Sequence, residues 1–533
     1  MTDLTTHTKS TPPDIVLIVL DTLRADRMSC YGYARETTPH LDAFAADATL
    51  FERAIVPGQW TIPSHASLFT GEYPTTHGTT QIYDTLGKEM ITLAELLRHG
   101  GYKTVGFCNN PLLGVVDNEL DRGFGEFYNY GGALPNYPNI SESRPKLWGR
   151  LVERYIRLMR RVTAPLQNQF AQNNLLLRLA MHPLIVPLWQ SSANFKGNTK
   201  RSLRDVVGYL RAHRRSEGRR PIFAFVNLME THLPYRPPAR FIQEFAPYYD
   251  VDREARDFMR NYNMEHYRWM IPLTEPLSQI ADRTINDLYD AEVAYLDRLL
   301  RRLLKDLNRP RVRDNTFVII TSDHGEGLNN HGFVGHSLVT YDDLVRVPLV
   351  LRHPETYPAG KRVSSAVSTR RVFHSVLQAA GISPNAVGHD RVPIDVEELS
   401  LTEALDDRST QEEMVFAEAY TPDTLLALMS NEDPDAIEAF RCRSMRRAVY
   451  KGPHKLITVG DEPDELFDVI DDPGETQNLL AEYPALVARL RTALTTFTKD
   501  AAARRPADWQ AARRLSLEDD EIAERLRALG YIE

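Results

Sequence analysis

Six consecutive aliphatic residues, Ile15-Val16-Leu17-Ile18-Val19-Leu20, run up to Asp21 without a polar interruption. A strand with no polar face must be covered on both sides, as inside a parallel sheet with helices on each face. The carboxylate that follows then stands at the carboxyl end of the strand, where open α/β sheets place their ligands. The same rhythm continues along the chain. Thr38-Pro39 predicts a helix through Asp47, Thr92 caps one from Leu93 to His99 stopped by Gly100-Gly101, and Lys103 to Phe107 reads as the next strand. Strand Ile222 to Asn227, a helix from Asn286 to Leu307, strands Thr316 to Thr321 and Pro348 to Leu351, and helix Thr369 to Ala380 ended by Gly381 extend it. Helices alternating with short apolar strands predict a doubly wound, mostly parallel α/β sheet flanked by helices.

With 533 residues, of which 42% are hydrophobic and 25% charged, the chain can bury a deep core and is neither low-complexity nor disordered in composition. Its apolar runs fall short of the roughly 20 residues that span a bilayer. Met1 to Asp14 lacks a basic start and an apolar stretch, so this segment is read as a flexible N-terminus (1–13) and the expected location is cytoplasmic. Three cysteines, Cys30, Cys108 and Cys442, exclude a disulfide framework and a Cys-based zinc module. From Met414 the strands Met414 to Tyr420, Arg447 to Tyr450 and His454 to Thr458, then a helix from Pro484 to Lys499, predict a smaller α+β subdomain over 401–533 behind a catalytic domain over 14–400.

The rhythm breaks between 125 and 220, which reads as an insertion. The net charge of −9 argues against a general nucleic-acid-binding role, yet residues 144–220 hold seventeen Lys/Arg against Glu153, Asp205 and Glu217. In 144–162, Trp148, Val152, Tyr155, Met159 and Val162 recur at helical spacing while Arg150, Arg154, Arg157 and Arg161 occupy another face. That pattern suits a helix packed over the core with a solvated arginine face, or peripheral contact with an anionic membrane at its inner surface. The run Leu184 to Trp189 reads as lid material.

Two acidic groups follow strands: Asp21, and Asp323-His324 after Thr316 to Thr321. One acid after a strand is an ordinary helix cap; two, with a histidine, form an oxygen/nitrogen site for one divalent ion such as Mn, Zn, Ca or Mg. Thr61, in Trp60-Thr61-Ile62-Pro63-Ser64-His65, reads as a helix N-cap. Its alternative role is a hydroxyl nucleophile activated by the helix field and a metal.

Taken in order, Asp21-Thr22-Leu23-Arg24-Ala25-Asp26, Thr37-Thr38-Pro39-His40-Leu41-Asp42, Thr61-Ile62-Pro63-Ser64-His65-Ala66-Ser67-Leu68-Phe69-Thr70-Gly71, His77-Gly78, Thr231-His232-Leu233-Pro234-Tyr235, Thr321-Ser322-Asp323-His324-Gly325-Glu326, Glu465-Leu466-Phe467-Asp468 and Leu529-Gly530-Tyr531 resemble the sulfatase family of the alkaline phosphatase superfamily. The resemblance implies an alkaline-phosphatase-like fold and a divalent cation held by Asp21, Asp323 and His324 together with the nucleophile Thr61. It also implies that His232 contacts the ester oxyanion or leaving group. His336 stands where many members place a lysine near the substrate, and would contact the anion or protonate the departing oxygen. His65 and His77 would order the nucleophile loop, His65 being counted with the catalytic set. Asn110 ends Gly106-Phe107-Cys108-Asn109-Asn110, which replaces a lysine-containing motif, and is assigned to substrate binding.

Other departures bear on chemistry. The formylglycine motif is Cys or Ser, any residue, Pro, any residue, Arg; here Thr61 and His65 take its ends, so no formylglycine is expected. The second of the usual paired aspartates is Thr22. No Asp-x-x-x-His pair occurs from residue 14 onward, so one metal ion is the expectation. The reading is a single-metal hydrolase or transferase cleaving a phosphate or sulfate ester through a Thr61 covalent intermediate, phosphoester preferred, on a small-molecule or lipid-linked anionic substrate. A sulfuric ester hydrolase without formylglycine and a noncatalytic anion-binding protein on the same fold are the alternatives.

Overall fold

Strand β1 (Asp14–Leu20) is buried along its whole length. Ile15, Leu17 and Val19 enter one apolar core, and Val16, Ile18 and Leu20 enter another on the opposite face. Each such side chain gains roughly 1.5–3 kcal/mol, before the entropy cost of ordering it. This computed structural model describes residues 12–506 except 83, 115, 117, 132–134, 139–195, 265–268, 270–271, 337, 354, 384–395, 407–412 and 431–432. The basic stretch 144–162, the run 184–189 and the terminal Leu529-Gly530-Tyr531 lie outside the described residues.

The further strands are β2 (Thr49–Ile55), β3 (Lys103–Cys108), β4 (Glu126–Asn129), β5 (Ile222–Leu228), β6 (Thr316–Thr321), β7 (Gly327–Leu328), β8 (Val334–Gly335), β9 (Arg346–Arg352) and β10 (Arg362–Ser368). The main sheet has the order β10-β2-β9-β6-β1-β5-β3-β4, and β9 alone runs against the rest. β1 lies centrally, paired in parallel with β5 and β6, so the carboxyl ends of these three strands open on one edge. Helices α1 (Pro39–Ala45), α2 (Thr61–Thr70), α3 (Leu93–His99), α4 (Thr199–Arg215), α5 (Gln279–Leu307) and α6 (Arg371–Ala380) flank it. α1, α4 and α5 cover one face, while α2, α3 and α6 cover the other. The sheet is therefore doubly wound and mostly parallel, as the alternation predicts.

A second, antiparallel sheet of β11 (Val415–Ala419), β12 (Arg446–Lys451), β13 (His454–Val459) and β14 (Glu462–Asp468) follows. One face, through Val449, Leu456 and Leu466, packs on Leu490 and Leu494 of α7 (Pro484–Ala503). The other face, through Ala417, Ala448, Tyr450, Ile457 and Phe467, joins the core that also covers α2. No helix among the described residues is long and apolar enough to cross a membrane.

The differences from the sequence reading have local causes. α5 begins at Gln279, where Ser278 Oγ accepts from Ala281 N at 3.2 Å; Asn286, read as its start, instead donates within the helix to Asp282 O at 2.9 Å. β2 carries Glu52-Arg53 at a register shift between Phe51 and Ala54, which breaks its alternation. β10 is an edge strand, Arg-Val-Ser-Ser-Ala-Val-Ser, too polar to read as one.

Candidate active site

Two strand ends and one helix start converge at the carboxyl edge of the sheet. Asp21 follows β1 directly and is fully buried. Asn110 Nδ2 donates to its Oδ2 at 2.8 Å, with Asn227 Nδ2 at 3.5 Å, while Oδ1 has no hydrogen-bond partner. Asp323, two residues past β6, accepts at Oδ1 from Thr22 N at 3.3 Å and from His324 N at 3.1 Å; its Oδ2 is likewise without a partner. Burial, then the charge of Asp323, pushes the Asp21 carboxyl up to about 7.

His324 Nδ1 donates to Gly325 O at 2.9 Å, which leaves the Nε2 lone pair directed away from the backbone. That Nε2 is 3.5 Å from Asp323 Oδ2 and 4.0 Å from Asp21 Oδ1. One ligand atom from each of Asp21, Asp323 and His324 lies within 4.8 Å of the others. Two buried carboxylate oxygens without donors, facing an imidazole lone pair, fit a divalent cation and are costly without one. Glycine is required at 325, since a Cβ there would meet Asp343 O at 1.9 Å and push His324 away. Thr22, where the family pattern has a second aspartate, sits at φ 60°, a left-handed conformation costly for a β-branched residue. It is held there by its N–H on Asp323 and by Tyr289 Oη, which donates to its carbonyl at 2.6 Å.

The expected capping role of Thr61 is not observed. Trp60 is the extended residue before α2, Thr61 is the first helical one, and no side chain caps that end. The Thr61 hydroxyl instead points into the cluster, 3.4 Å from His324 Nε2 and 3.5 Å from Asn110 Nδ2. Asn110 thus bridges the nucleophile candidate and Asp21, an arrangement its place in the sequence did not show.

The remaining histidines divide into two groups. His336 and His232 line the site beside the cluster, with ring centroids 4.5 Å from His324 to His336 and 4.9 Å from His336 to His232. His336 Nδ1 lies 2.8 Å from Glu326 Oε1; burial alone would lower its pKa, but the charge and hydrogen bond of Glu326 raise it. His232 Nδ1 donates to Leu233 O at 2.7 Å, and burial, then its neighbour His336, holds its pKa well below the usual value. His77 lies behind the cluster, while His65 meets it, with Nδ1 3.5 Å from Asp323 Oδ2. His65 Nδ1 donates one helical turn back to Thr61 O at 2.9 Å, its ring lies among Phe69 and Phe225, and burial lowers its pKa. His77 accepts from Thr79 N at Nδ1 and meets Ser67 Oγ of α2 at 3.0 Å, neutral because burial holds its pKa down to about 3.

Three residues with no role in the sequence reading complete the site. Glu326, fully buried, orients His336 and accepts from Tyr235 Oη at 3.1 Å; it closes the string Thr321 to Glu326 and was open to detection there. Asn227, inside β5 near its end, reaches Asp21 and accepts from Asn110 N at 3.2 Å. Lys196 reaches the rim, where Nζ donates to Glu230 O at 2.7 Å and Glu292 Oε1 at 3.0 Å.

The chain is 26% identical over 349 residues to the uncharacterized sulfatase YidJ of Escherichia coli (strain K12), covering 64% of this chain and 63% of that protein, so it spans less than two thirds of that relative. It is 24% identical over 498 residues to an arylsulfatase of Clostridium perfringens (strain 13 / Type A), covering 90% of this chain and 93% of that one. The crystal structure of the phosphonate monoester hydrolase of Agrobacterium radiobacter has the same fold, with a TM-score of 0.62 at 21% identity over 92% of this chain and 96% of that one. The family model described as Sulfatase matches residues 13–382, a stretch that contains Asp21, Thr61, Asp323 and His324, and by that match the chain belongs to the sulfatase family.

Proposed function

We propose that this chain is a metal-dependent ester hydrolase or transferase that forms a covalent intermediate on Thr61, acting on a phosphate ester in preference to a sulfate ester. The observation that carries the proposal is the Thr61 hydroxyl, unused as a cap and turned toward His324 beside two carboxylate oxygens that lack donors. Asp21, Asp323 and His324 would hold the cation. Bound there, a divalent ion would supply Lewis-acid polarisation and lower the pKa of a nearby hydroxyl.

The chain's own residues account for the rest. Thr61 Oγ1, at the positive end of α2, would lose its proton to solvent and form the bond to phosphorus or sulfur as the bond to the leaving alcohol breaks. His336, held at Nδ1 by Glu326 and with its pKa raised, delivers a proton to the departing oxygen. His232, kept neutral, contacts the oxyanion. Asn110 holds Asp21 and the Thr61 oxygen in register. Water or an acceptor alcohol then gives its proton to His336, attacks phosphorus or sulfur, and breaks the bond to Thr61 Oγ1. Threonine has no second hydroxyl with which to expel a sulfate as a formylglycine hydrate does, and this supports the phosphoester preference.

The test is turnover of p-nitrophenyl phosphate, sulfate and phosphonate esters by the metal-loaded chain, with mass spectrometry of protein quenched during turnover. A phosphoryl or sulfuryl adduct on the Thr61 peptide is the expected result and identifies the group transferred. Thr61→Ala should lose about 10⁴-fold or more in turnover while keeping its metal, and Thr61→Ser should keep measurable activity. Full activity of Thr61→Ala would end the proposal.

A further inference from the structure

Away from the active site, α4 and α5 enclose an open groove of about 910 Å³ whose described lining is basic without an acid. Lys200, Arg201 and Arg204 come from α4; Arg298, Arg301, Arg302 and Lys305 come from α5. The four α5 residues follow the spacing i, i+3, i+4, i+7, so they form one stripe about 10 Å long, and all four are exposed. Arg201 and Arg204 share Asp205, at 3.7 Å and 3.3 Å. Lys200 and the four α5 cations make no ion pair among the described residues. Like charges at these spacings weaken a helix by a few tenths of a kcal/mol per pair, so the stripe is unfavourable until something anionic covers it.

We propose that this groove docks the protein on an anionic lipid bilayer. Its volume and openness exceed what a single phosphate fills. Among the described residues its lining holds no aromatic ring and so no stacking platform for bases; its described apolar members are Leu203 and Leu299. The chain as a whole carries −9, so the rest of the surface is repelled by a negative bilayer and this patch sets the orientation. The start of α4 also reaches the catalytic rim: Asn109 Nδ2 donates to Thr199 Oγ1 at 2.7 Å, and the next residue, Asn110, holds Asp21. A docked bilayer therefore lies along the helix that leads to the site.

The experiment is co-sedimentation of the full chain with vesicles of phosphatidylcholine alone and of equimolar phosphatidylcholine and phosphatidylglycerol. Binding is expected only to the second, at low ionic strength, and should be lost near 1 M salt, where screening acts within about 3 Å. The quadruple variant Arg298→Gln, Arg301→Gln, Arg302→Gln, Lys305→Gln should bind about a hundredfold or more weakly. An unchanged circular dichroism spectrum and unchanged turnover of a soluble p-nitrophenyl ester would show that its fold is intact. No binding by the unaltered chain, or equal binding by the variant, overturns the proposal. So does a loss confined to a companion variant at Arg150, Arg154, Arg157 and Arg161, which would move the contact to that segment. Tighter binding to heparin or duplex DNA than to vesicles would replace the bilayer by a soluble polyanion.

Discussion

At the scale of single residues, the candidate site is a cluster of buried charges whose donor set fits a divalent cation. Asp21 Oδ1 and Asp323 Oδ2 both lack hydrogen-bond donors, and burial, then the charge of Asp323, raises the pKa of Asp21. Asp323→Ala should therefore purify with substoichiometric metal, measured by elemental mass spectrometry, and with an unchanged circular dichroism spectrum, since it removes one of two repelling charges. Stoichiometric metal in that variant would contradict the ligand assignment. Glu326 poses a different question, because it touches His336 and not the cluster. Glu326→Gln should cost about 10²-fold in kcat/KM with alkyl esters, whose leaving oxygen needs a proton, and far less with p-nitrophenyl esters, which leave without one. Equal losses for both leaving groups would remove His336 as the acid. The identities of Asp21, Asp323, His324 and Thr61 were legible in the sequence because each lies beside a strand end or helix start. Glu326 contacts His336, ten positions along the chain, and their pairing depends on the turn between β7 and β8.

At the scale of elements, α2 must present Thr61 at one end and stop cleanly at the other. It stops at Gly71, which has φ 72° and donates to Ser67 O at 2.9 Å. A Cβ at Gly71 would meet Phe373 Cδ1 at 2.8 Å and His374 Nε2 at 3.1 Å on α6. Gly71→Ala should thus lower stability by about 1–2 kcal/mol, from the left-handed backbone and the contact with α6 together, read as a lower urea midpoint. A midpoint equal to that of the unaltered chain would show that α6 gives way. Helices with local signals were readable: Thr92 forms a capping box with Glu95, and α3 spans the predicted Leu93 to His99. β4 and β14 were not readable, because four or seven residues with one or two buried positions carry little periodicity.

At the scale of the whole molecule, the second sheet braces the loop that leads into Thr61. Glu418 of β11 donates its N–H to Pro57 O at 2.8 Å, and its fully buried carboxylate accepts from Thr75 N at 2.8 Å and from the Thr75 hydroxyl. A second tie is His331, stacked on Tyr341 at 3.9 Å between Asp343 Oδ2, 3.3 Å from Nδ1, and Gly474 O, 3.1 Å from Nε2. Both partners are acceptors, so only the protonated ring donates to each. Burial opposes that charge, but Asp343, then Glu475, outweigh it and raise the pKa. A raised histidine pKa contributes stability that is present below the unfolded value near 6.5 and lost as pH rises through the folded one. The thermal midpoint should fall as pH rises above about 6.5, and His331→Gln should flatten that fall. A variant with the same slope would place the titration elsewhere. The unbroken run Ile15 to Leu20 by itself determined a strand covered on both faces, and the order of motifs determined the family, because burial pattern and residue type are local properties of the chain. That Thr61 turns from capping to the cluster, that Asn110 and Asn227 share Asp21, and that the loop before Thr61 rests on β11, some 360 residues further along the chain, were decided only by the tertiary structure. Each depends on which distant segments pack together, and that is set by the whole core.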